Sequence, residues 1–319
     1  MKLSSKSLKK LFKGAIYFVE DKGWLTPYRY SRAQIEYMAD EGYDWGWRMR
    51  AKFAGTCRIE LKTDAEHISF DYVATHEHER ANTFDLFVDG VLCAVHKIED
   101  RLKGTVEFKM KGGEKRVTIY MPCECEIKIK NFTLDGSYKG IRTTGQKLLI
   151  IGDSITQGAG PEVASVAYAN ELQRMTKWDI LAQGIGGYRY EACDLMKVEG
   201  FEPDKIFVFL GTNYYELDCE ERGYHYKEAV EEFYEKITSL YPTTPIYTIT
   251  PLWRNNDVDW DRFYWCIQAI KDTCAKHKGV TLADGFDFVP NVDECFSDKI
   301  HPNAYGSYLL AKNLAEFLK

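Results

Sequence analysis

Long apolar runs are missing from this 319-residue chain. None approaches the roughly 20 consecutive apolar residues needed to span a bilayer, so no membrane partner is expected. Basic tracts are missing as well. The net charge is -6, and no Lys/Arg-rich stretch is interleaved with aromatics, which argues against nucleic-acid binding. There is no phosphate-cradling loop, and Gly184-Ile-Gly-Gly187 lacks the spacing of a dinucleotide fingerprint, so no cofactor is expected. Metal-ligand spacing is absent too. Cys123 and Cys125 flank Glu124 on what reads as a strand and are taken as core. His76 and His78, in Thr75-His-Glu-His-Glu-Arg80, fall in a polar break and read as a solvated turn or edge. The cysteines number nine, an odd count without framework spacing, which reads as reduced thiols in a cytoplasmic protein. The stretch Met1–Val19 holds five lysines, and Lys13 and Gly14 break its apolar patch. With no small-residue cleavage site it makes a poor leader, and it reads as a segment packed on the body in preference to an amphipathic membrane anchor.

What is present suffices for a full core: 45% hydrophobic residues against 28% charged, in a length natural for two domains. Aromatics reach 14%, which suits a protein that stacks flat ligands. From about Trp47 to Leu134 the apolar residues recur with period two. Ile68, Phe70 and Tyr72 alternate; Phe84, Leu86 and Val88 run into Asp89-Gly90, a hairpin signal, and Val91, Cys93 and Val95 leave it. A register shift between Ile127/Ile129 and Phe132/Leu134 suggests a bulge. The expectation is an all-β, jelly-roll-like sandwich over 1–135, then a linker over 136–146.

From 147 to 319 the rhythm alternates between strand and helix. Strands are expected at Leu148–Ile151, Asp179–Ala182, Ile206–Leu210, Ile246–Thr250 and Val280–Ala283. Helices are expected near Val163–Lys177, Tyr190–Val198, Lys227–Leu240, Asp259–His277 and Asn303–Leu318. This pattern specifies an α/β fold with a doubly wound five-stranded parallel sheet, whose ligands bind beyond the carboxyl ends of the strands.

Those ends carry the chemistry. Ser154 follows the first strand at a sharp strand-to-helix turn, Gly184-Ile-Gly-Gly187 the second, and Gly211-Thr-Asn213 the third. Asp298-Lys-Ile-His301 stands just ahead of the last helix. Taken singly, each has a bland use as a cap, a tight turn or a surface residue. Together they fill every role in acyl transfer: Ser154 as nucleophile, His301 as base, Asp298 holding the imidazole tautomer, and Gly187 N–H with the Asn213 amide as oxyanion donors. Asp284 and Asp287 are rival orienting acids.

These blocks resemble the SGNH (GDSL-type) hydrolase superfamily: a Gly-Asp-Ser motif, a glycine, Gly-x-Asn and Asp-x-x-His. Here they are Gly152-Asp-Ser154, Gly187, Gly211-Thr-Asn213 and Asp298-Lys-Ile-His301, in that order. The resemblance implies a flavodoxin-like sheet and an oxyanion hole of Ser154 N–H, Gly187 N–H and the Asn213 side chain. Ala182 stands where many relatives carry Asn, which makes Gly186 a rival to Gly187, and Tyr214 follows Asn213 where Asp is frequent. A sandwich ahead of such a unit also resembles carbohydrate esterase family two, which removes acetyl groups from sugars.

The expected activity is a serine esterase acting on a small acyl ester, foremost an O-acetyl group on a sugar. The alternatives are a lysophospholipase or thioesterase with a longer apolar groove, or a non-catalytic carbohydrate-binding protein. Transfer to a sugar instead of water stays open, as does homo-oligomerisation. Tyr214, Trp253 and Arg254 are expected to line the substrate pocket, with Tyr215, Trp260, Tyr264 and Trp265 as further ring candidates. Trp253 and its neighbours could equally pack helix onto sheet. Trp45 and Trp47 offer a sugar strip on the sandwich or, more simply, core.

Overall fold

The computed structural model describes residues 1–40, 44–75, 82–98, 102–213, 225–256 and 258–319. The amino-terminal strands are β1 (Phe12–Lys13), β2 (Tyr17–Asp21), β3 (Trp24–Tyr28), β4 (Arg58–Thr63), β5 (His67–Thr75) and β6 (Thr83–Val88). They continue with β7 (Val91–Lys97), β8 (Lys103–Lys109), β9 (Lys115–Tyr120), β10 (Glu126–Leu134) and β11 (Tyr138–Gly140). One sheet has the order β2-β3-β10-β5-β8; the other runs β1-β4-β9-β6-β7, with β11 on the outer side of β4. All pairings are antiparallel. Period-two alternation does the sorting: Ile68, Phe70, Tyr72 and Ala74 of β5 are buried while the residues between them are not. They pack with Ile59, Phe84, Ile119, Ile127 and Phe132 in one core.

Two local expectations hold. Asp89 and Gly90 both have positive φ (50° and 86°), as a two-residue turn of the I′ type requires. The bulge falls between Lys130 and Thr133 of β10, where Asn131 takes φ 56° and its Nδ2 donates to Asp71 Oδ2 at 2.6 Å.

The carboxyl-terminal sheet comprises β12 (Lys147–Gly152), β13 (Asp179–Gly184), β14 (Lys205–Phe209), β15 (Ile246–Ile249) and β16 (Val280–Ala283). Its order is β13-β12-β14-β15-β16, all parallel. Adjacent side chains of β12 point to opposite faces, and both faces are covered. Leu148 and Ile150 join the core under α5 (Tyr168–Thr176) and α8 (Ala304–Phe317). Leu149 and Ile151 join the one under α6 (Tyr226–Leu240) and α7 (Trp260–Lys276). The chain reverses its direction of travel beside β12, so the crevice at that strand's carboxyl end is where such a sheet presents a ligand site.

Three expectations need correction, and the placement of Trp45 and Trp47 needs refining. Within 136–146, Tyr138–Gly140 pairs with β4 and so extends the sandwich. Over Tyr190–Val198 only a turn of 3-10 helix forms, at Ala192–Asp194. Tyr190, Leu195 and Val198 reach the core from irregular chain, because an aromatic cluster of Tyr190 with Tyr226, Phe233 and Tyr234 sets the backbone path. Val163–Lys177 is split by Ala167 (ψ 140°) into a 3-10 turn and α5. Trp45 and Trp47 lie on a helix, α3 (Trp45–Arg50), capped by Asp44, whose Oδ1 accepts from Trp47 N at 2.8 Å. The amino-terminal segment also holds α1 (Ser5–Lys9) and α2 (Arg32–Tyr37).

The β-rich half and the parallel sheet meet through buried polar contacts. The fully buried Arg29 side chain donates Nη1 to the carbonyls of Ala182 and Gly184, both at 2.9 Å. Gln183 Nε2 donates to Arg29 O and Gln34 Oε1, both at 3.0 Å. Asp85 Oδ2 accepts from Ser165 N at 2.6 Å.

Candidate active site

Ser154 is the first residue of α4 (Ser154–Gln157), directly after β12. The turn is tight enough to require Gly152, where an added β-carbon would lie 2.1 Å from Thr156 Oγ1. Asp153 caps α4, its Oδ1 accepting from Ile155 N at 3.0 Å. That carboxyl is buried, and the loss of water pushes its pKa up to about 6 against the lowering effects of the Ile155 N–H, His301 and Arg254.

His301 reaches Ser154 from the far end of the chain. Its Nε2 lies 2.8 Å from Ser154 Oγ. On the other side of the ring, Nδ1 lies 2.9 Å from Asp298 Oδ2 and 3.1 Å from Oδ1. A proton on Nδ1 satisfies the carboxylate and leaves Nε2 to accept from the serine hydroxyl, the tautomer this network assigns. Asp298 is itself fixed, since its Oδ1 accepts from Ile300 N at 3.2 Å and His301 N at 2.9 Å. Lys299, at φ 69°, folds the loop back for this. Burial pushes the Asp298 pKa up, but the His301 ring, the two backbone N–H groups and the His301 charge outweigh it and hold the carboxyl well below the usual range.

The loop after β13 lies against α4: Gly186 N–H donates to Gln157 Oε1 at 2.8 Å and Ile185 N–H to Gly152 O at 3.1 Å. Gly187 takes φ 76°, a conformation that favours glycine. Its carbonyl accepts from Trp47 Nε1 at 3.1 Å, and the Gly186 carbonyl accepts from Arg50 Nη1 at 3.0 Å. Asn213, after β14, donates Nδ2 to Tyr188 O at 3.0 Å and approaches Asp153 Oδ2 at 3.5 Å. The loops after three strands thus meet at α4 and its Asp153 cap.

Residues 150–309 match the model of the GDSL-like lipase/acylhydrolase family. The chain belongs to this family. It is an acyl ester hydrolase. No curated protein matches the sequence, but solved structures share its fold along most of their length. One is SsfX3, a salicylyl-acyltransferase from a tetracycline biosynthetic pathway, at 17% identity and TM-score 0.75, covering 95% of this chain and 92% of that one. Another is a family two carbohydrate esterase from Cellvibrio japonicus, at 16% identity and TM-score 0.66, covering 100% and 96%. A third is the acetyl xylan esterase Est2A from Butyrivibrio proteoclasticus, at 18% identity and TM-score 0.61, covering 83% and 90%.

The remaining candidates of this GDSL-type hydrolase sort as follows. Asp284 accepts from Lys271 Nζ at 2.7 Å, Thr250 Oγ1 at 3.1 Å and Phe286 N at 3.2 Å, so it serves its own loop. Asp287 sits in a 3-10 turn, Gly285–Asp287; Asp298 is the acid on the His301 ring. Trp253 stacks on Phe286 with centroids 3.7 Å apart and donates Nε1 to Phe286 O at 3.2 Å, so its ring packs loop on loop. Arg254 donates Nη1 to the carbonyl and the hydroxyl of Thr212 and Nε to Asn256 Oδ1, bracing the loop that carries Asn213. Trp260 contacts Trp253, Phe263 and Tyr264, while Tyr264 and Trp265 are half-exposed on α7. Trp45 is exposed and Trp47 buried against Tyr188. Tyr214, Tyr215, His76 and His78 lie outside the described residues.

Among the described residues no helix is long and apolar enough to cross a membrane. Among them, too, no group of three or more His, Cys, Asp or Glu could hold a metal ion. Sequence reasoning passed over Gln157 and Arg50, and read Trp47 as a sugar strip or core without its bond to the glycine loop. Gln157 lies inside Gly152–Gly158, and its place in that block was the one available signal. The other two are called on from more than 130 positions away.

Proposed function

We propose that this hydrolase removes O-acetyl groups from a carbohydrate through Ser154, His301 and Asp298. The observation that carries the reading is the 2.8 Å contact between Ser154 Oγ and His301 Nε2, with Asp298 seated on the other ring nitrogen. Ser154 Oγ attacks the ester carbonyl as His301 Nε2 takes its proton, and Asp298 holds the ring and the charge that forms on it. The tetrahedral oxyanion is received by Ser154 N–H, Gly187 N–H and Asn213 Nδ2. Gly187 is favoured over Gly186 because the Gly186 N–H is already donated to Gln157. Asn213 must release Tyr188 O or Asp153 to take part, a tightening that substrate binding commonly brings about. His301 then protonates the departing sugar hydroxyl, and water repeats the cycle on the acyl-enzyme.

The sugar acetate is drawn from the likeness to an acetyl xylan esterase and a family two carbohydrate esterase. The eight described cysteines are all free thiols, which fits the cytoplasmic placement. The test is hydrolysis of acetylated mono- and oligosaccharides against octanoyl and thioester substrates, with Ser154→Ala as control. Preference for octanoyl esters would move the assignment to a lysophospholipase or thioesterase. Acyl-sugar product formed in place of free acetate would make it a transferase, and parental activity in Ser154→Ala would refute it.

A further inference from the structure

We infer that Arg50, which belongs to the β-rich half, is a positioning residue for ester hydrolysis, acting through the Gly186–Gly187 peptide. The inference rests on the proposed role of the Gly187 N–H. A peptide unit is planar, and in its trans form the carbonyl and the N–H point opposite ways. The Gly186 carbonyl and the Gly187 N–H belong to one such unit. Arg50 Nη1 donates to that carbonyl at 3.0 Å, so whatever fixes the guanidinium fixes the direction of the N–H on the other side.

The surroundings leave the unit little freedom. The Arg50 stem lies flat on Gly186, where an added β-carbon would stand 3.0 Å from Arg50 Cδ. The next peptide is pinned by Trp47 Nε1 on the Gly187 carbonyl at 3.1 Å. The preceding N–H is held by Gln157 at 2.8 Å, and the Gly184 carbonyl by Arg29 at 2.9 Å. Arg29 Nη2 also donates to the Arg50 carbonyl at 3.3 Å, tying the end of α3 to the same frame. Of these contacts, Arg50 alone places a positive charge on the peptide whose N–H is to meet the oxyanion. A charge-assisted bond at the carbonyl is stronger than a neutral one and draws density from the nitrogen, making the N–H a better donor. Geometry and polarisation therefore act in the same sense, and both favour the transition state over bound ester, because only the transition state carries the full negative oxygen.

The test compares Arg50→Met, which keeps the stem, and Arg50→Gln, which keeps an N–H donor to hold the loop, with the parent and Ser154→Ala. Thermal melting identifies the folded variants. Initial rates on p-nitrophenyl acetate and inhibition by a small alkylboronic acid, which forms a tetrahedral anionic adduct, are then measured. Each folded Arg50 variant is expected to lose about tenfold or more in kcat, short of the loss from deleting a donor outright. KM should stay within about threefold, boronate affinity should fall in step with kcat, and added guanidinium should restore part of the rate of Arg50→Met. Parental kcat in a folded Arg50 variant beside an inactive Ser154→Ala would overturn this inference alone, as would a rise in KM with kcat kept. Parental activity in Ser154→Ala would instead overturn the serine-esterase reading beneath it.

Discussion

Gly160 and Pro302 touch with no room for a side chain between them: a β-carbon on Gly160 would stand 2.3 Å from the Pro302 carbonyl oxygen and 3.1 Å from His301 Cβ. Gly160 also has φ 113°, and its own carbonyl accepts from Ser297 Oγ at 2.6 Å. This close approach seats the loop carrying His301 against the loop leaving Ser154. Gly160→Ala should therefore push His301 off Ser154 and lower kcat by about 10-fold or more, since displacements near 1 Å can cost 10²-fold. Stopped assays on p-nitrophenyl acetate check this, and an unchanged kcat would show that the loops adjust freely.

Asn213→Ala should reduce kcat on the order of 10²-fold with a smaller change in KM, the loss expected for one oxyanion donor. A variant with parental turnover would mean that the amide only holds Tyr188 O and the glycine loop.

Asp298→Asn should lower kcat by up to about 10⁴-fold, because an amide leaves the imidazole free to adopt the wrong tautomer. It should also change the acid limb of stability. The folded-state carboxyl is more acidic than in the unfolded chain. Its stabilising share is therefore whole above the unfolded value of about 4 and drains as pH falls toward the lower folded one. Melting curves from neutral to strongly acidic pH should show the parent losing stability faster than Asp298→Asn below about pH 4. Parallel curves would contradict the assignment.

Asp153 should show the opposite sign. Burial raises its folded pKa to about 6, so its protonated form favours the fold below the unfolded value of about 4. That share is lost as pH rises through the folded pKa. Asp153→Asn keeps a capping oxygen for Ile155 N and removes the titration. Relative to the variant, the parent's melting temperature should fall as pH rises from about 4 to 7. A difference that stays flat over this range would show that the carboxylate is compensated when ionised.

Trp253→Ala should destabilise the protein by about 3 kcal/mol, in the range for removing a packed aromatic ring, while KM for acetylated sugars stays near the parental value. A selective rise in KM with unchanged melting would return this ring to the pocket wall.

Ser154, Asp298 and His301 were legible because each sits at a boundary the chain spells locally: an apolar run that stops at glycine, or a polar quartet before an amphipathic helix. The same holds for β6, β7 and the Asp89-Gly90 turn between them, since these two strands, neighbours along the sequence, pair with one another. Tyr190–Val198 misled because its apolar residues answer to Tyr226 and Phe233, not to a helical period. Trp47 reads as core and is buried, but its bond to the Gly187 carbonyl escaped for a related reason. A tryptophan that caps a carbonyl 140 positions away carries the same letter as one stacked in a sandwich core. Residues 138–140 read as a linker by composition, yet the open edge of β4 recruits them. Edge pairing of this kind depends on what lies alongside in space.

Arg29 sets a limit on how the two halves can be exchanged. Its guanidinium, shut away from water, donates to carbonyls of Phe53 and Arg50 on one side of the seam and of Ala182 and Gly184 on the other. Cutting the chain near residue 147, or grafting a foreign sandwich onto the hydrolase half, would strand a cation or leave a pair of carbonyls without donors, each at a penalty of several kcal/mol. Swapping by recombination should succeed only where the graft brings an arginine to the same spot.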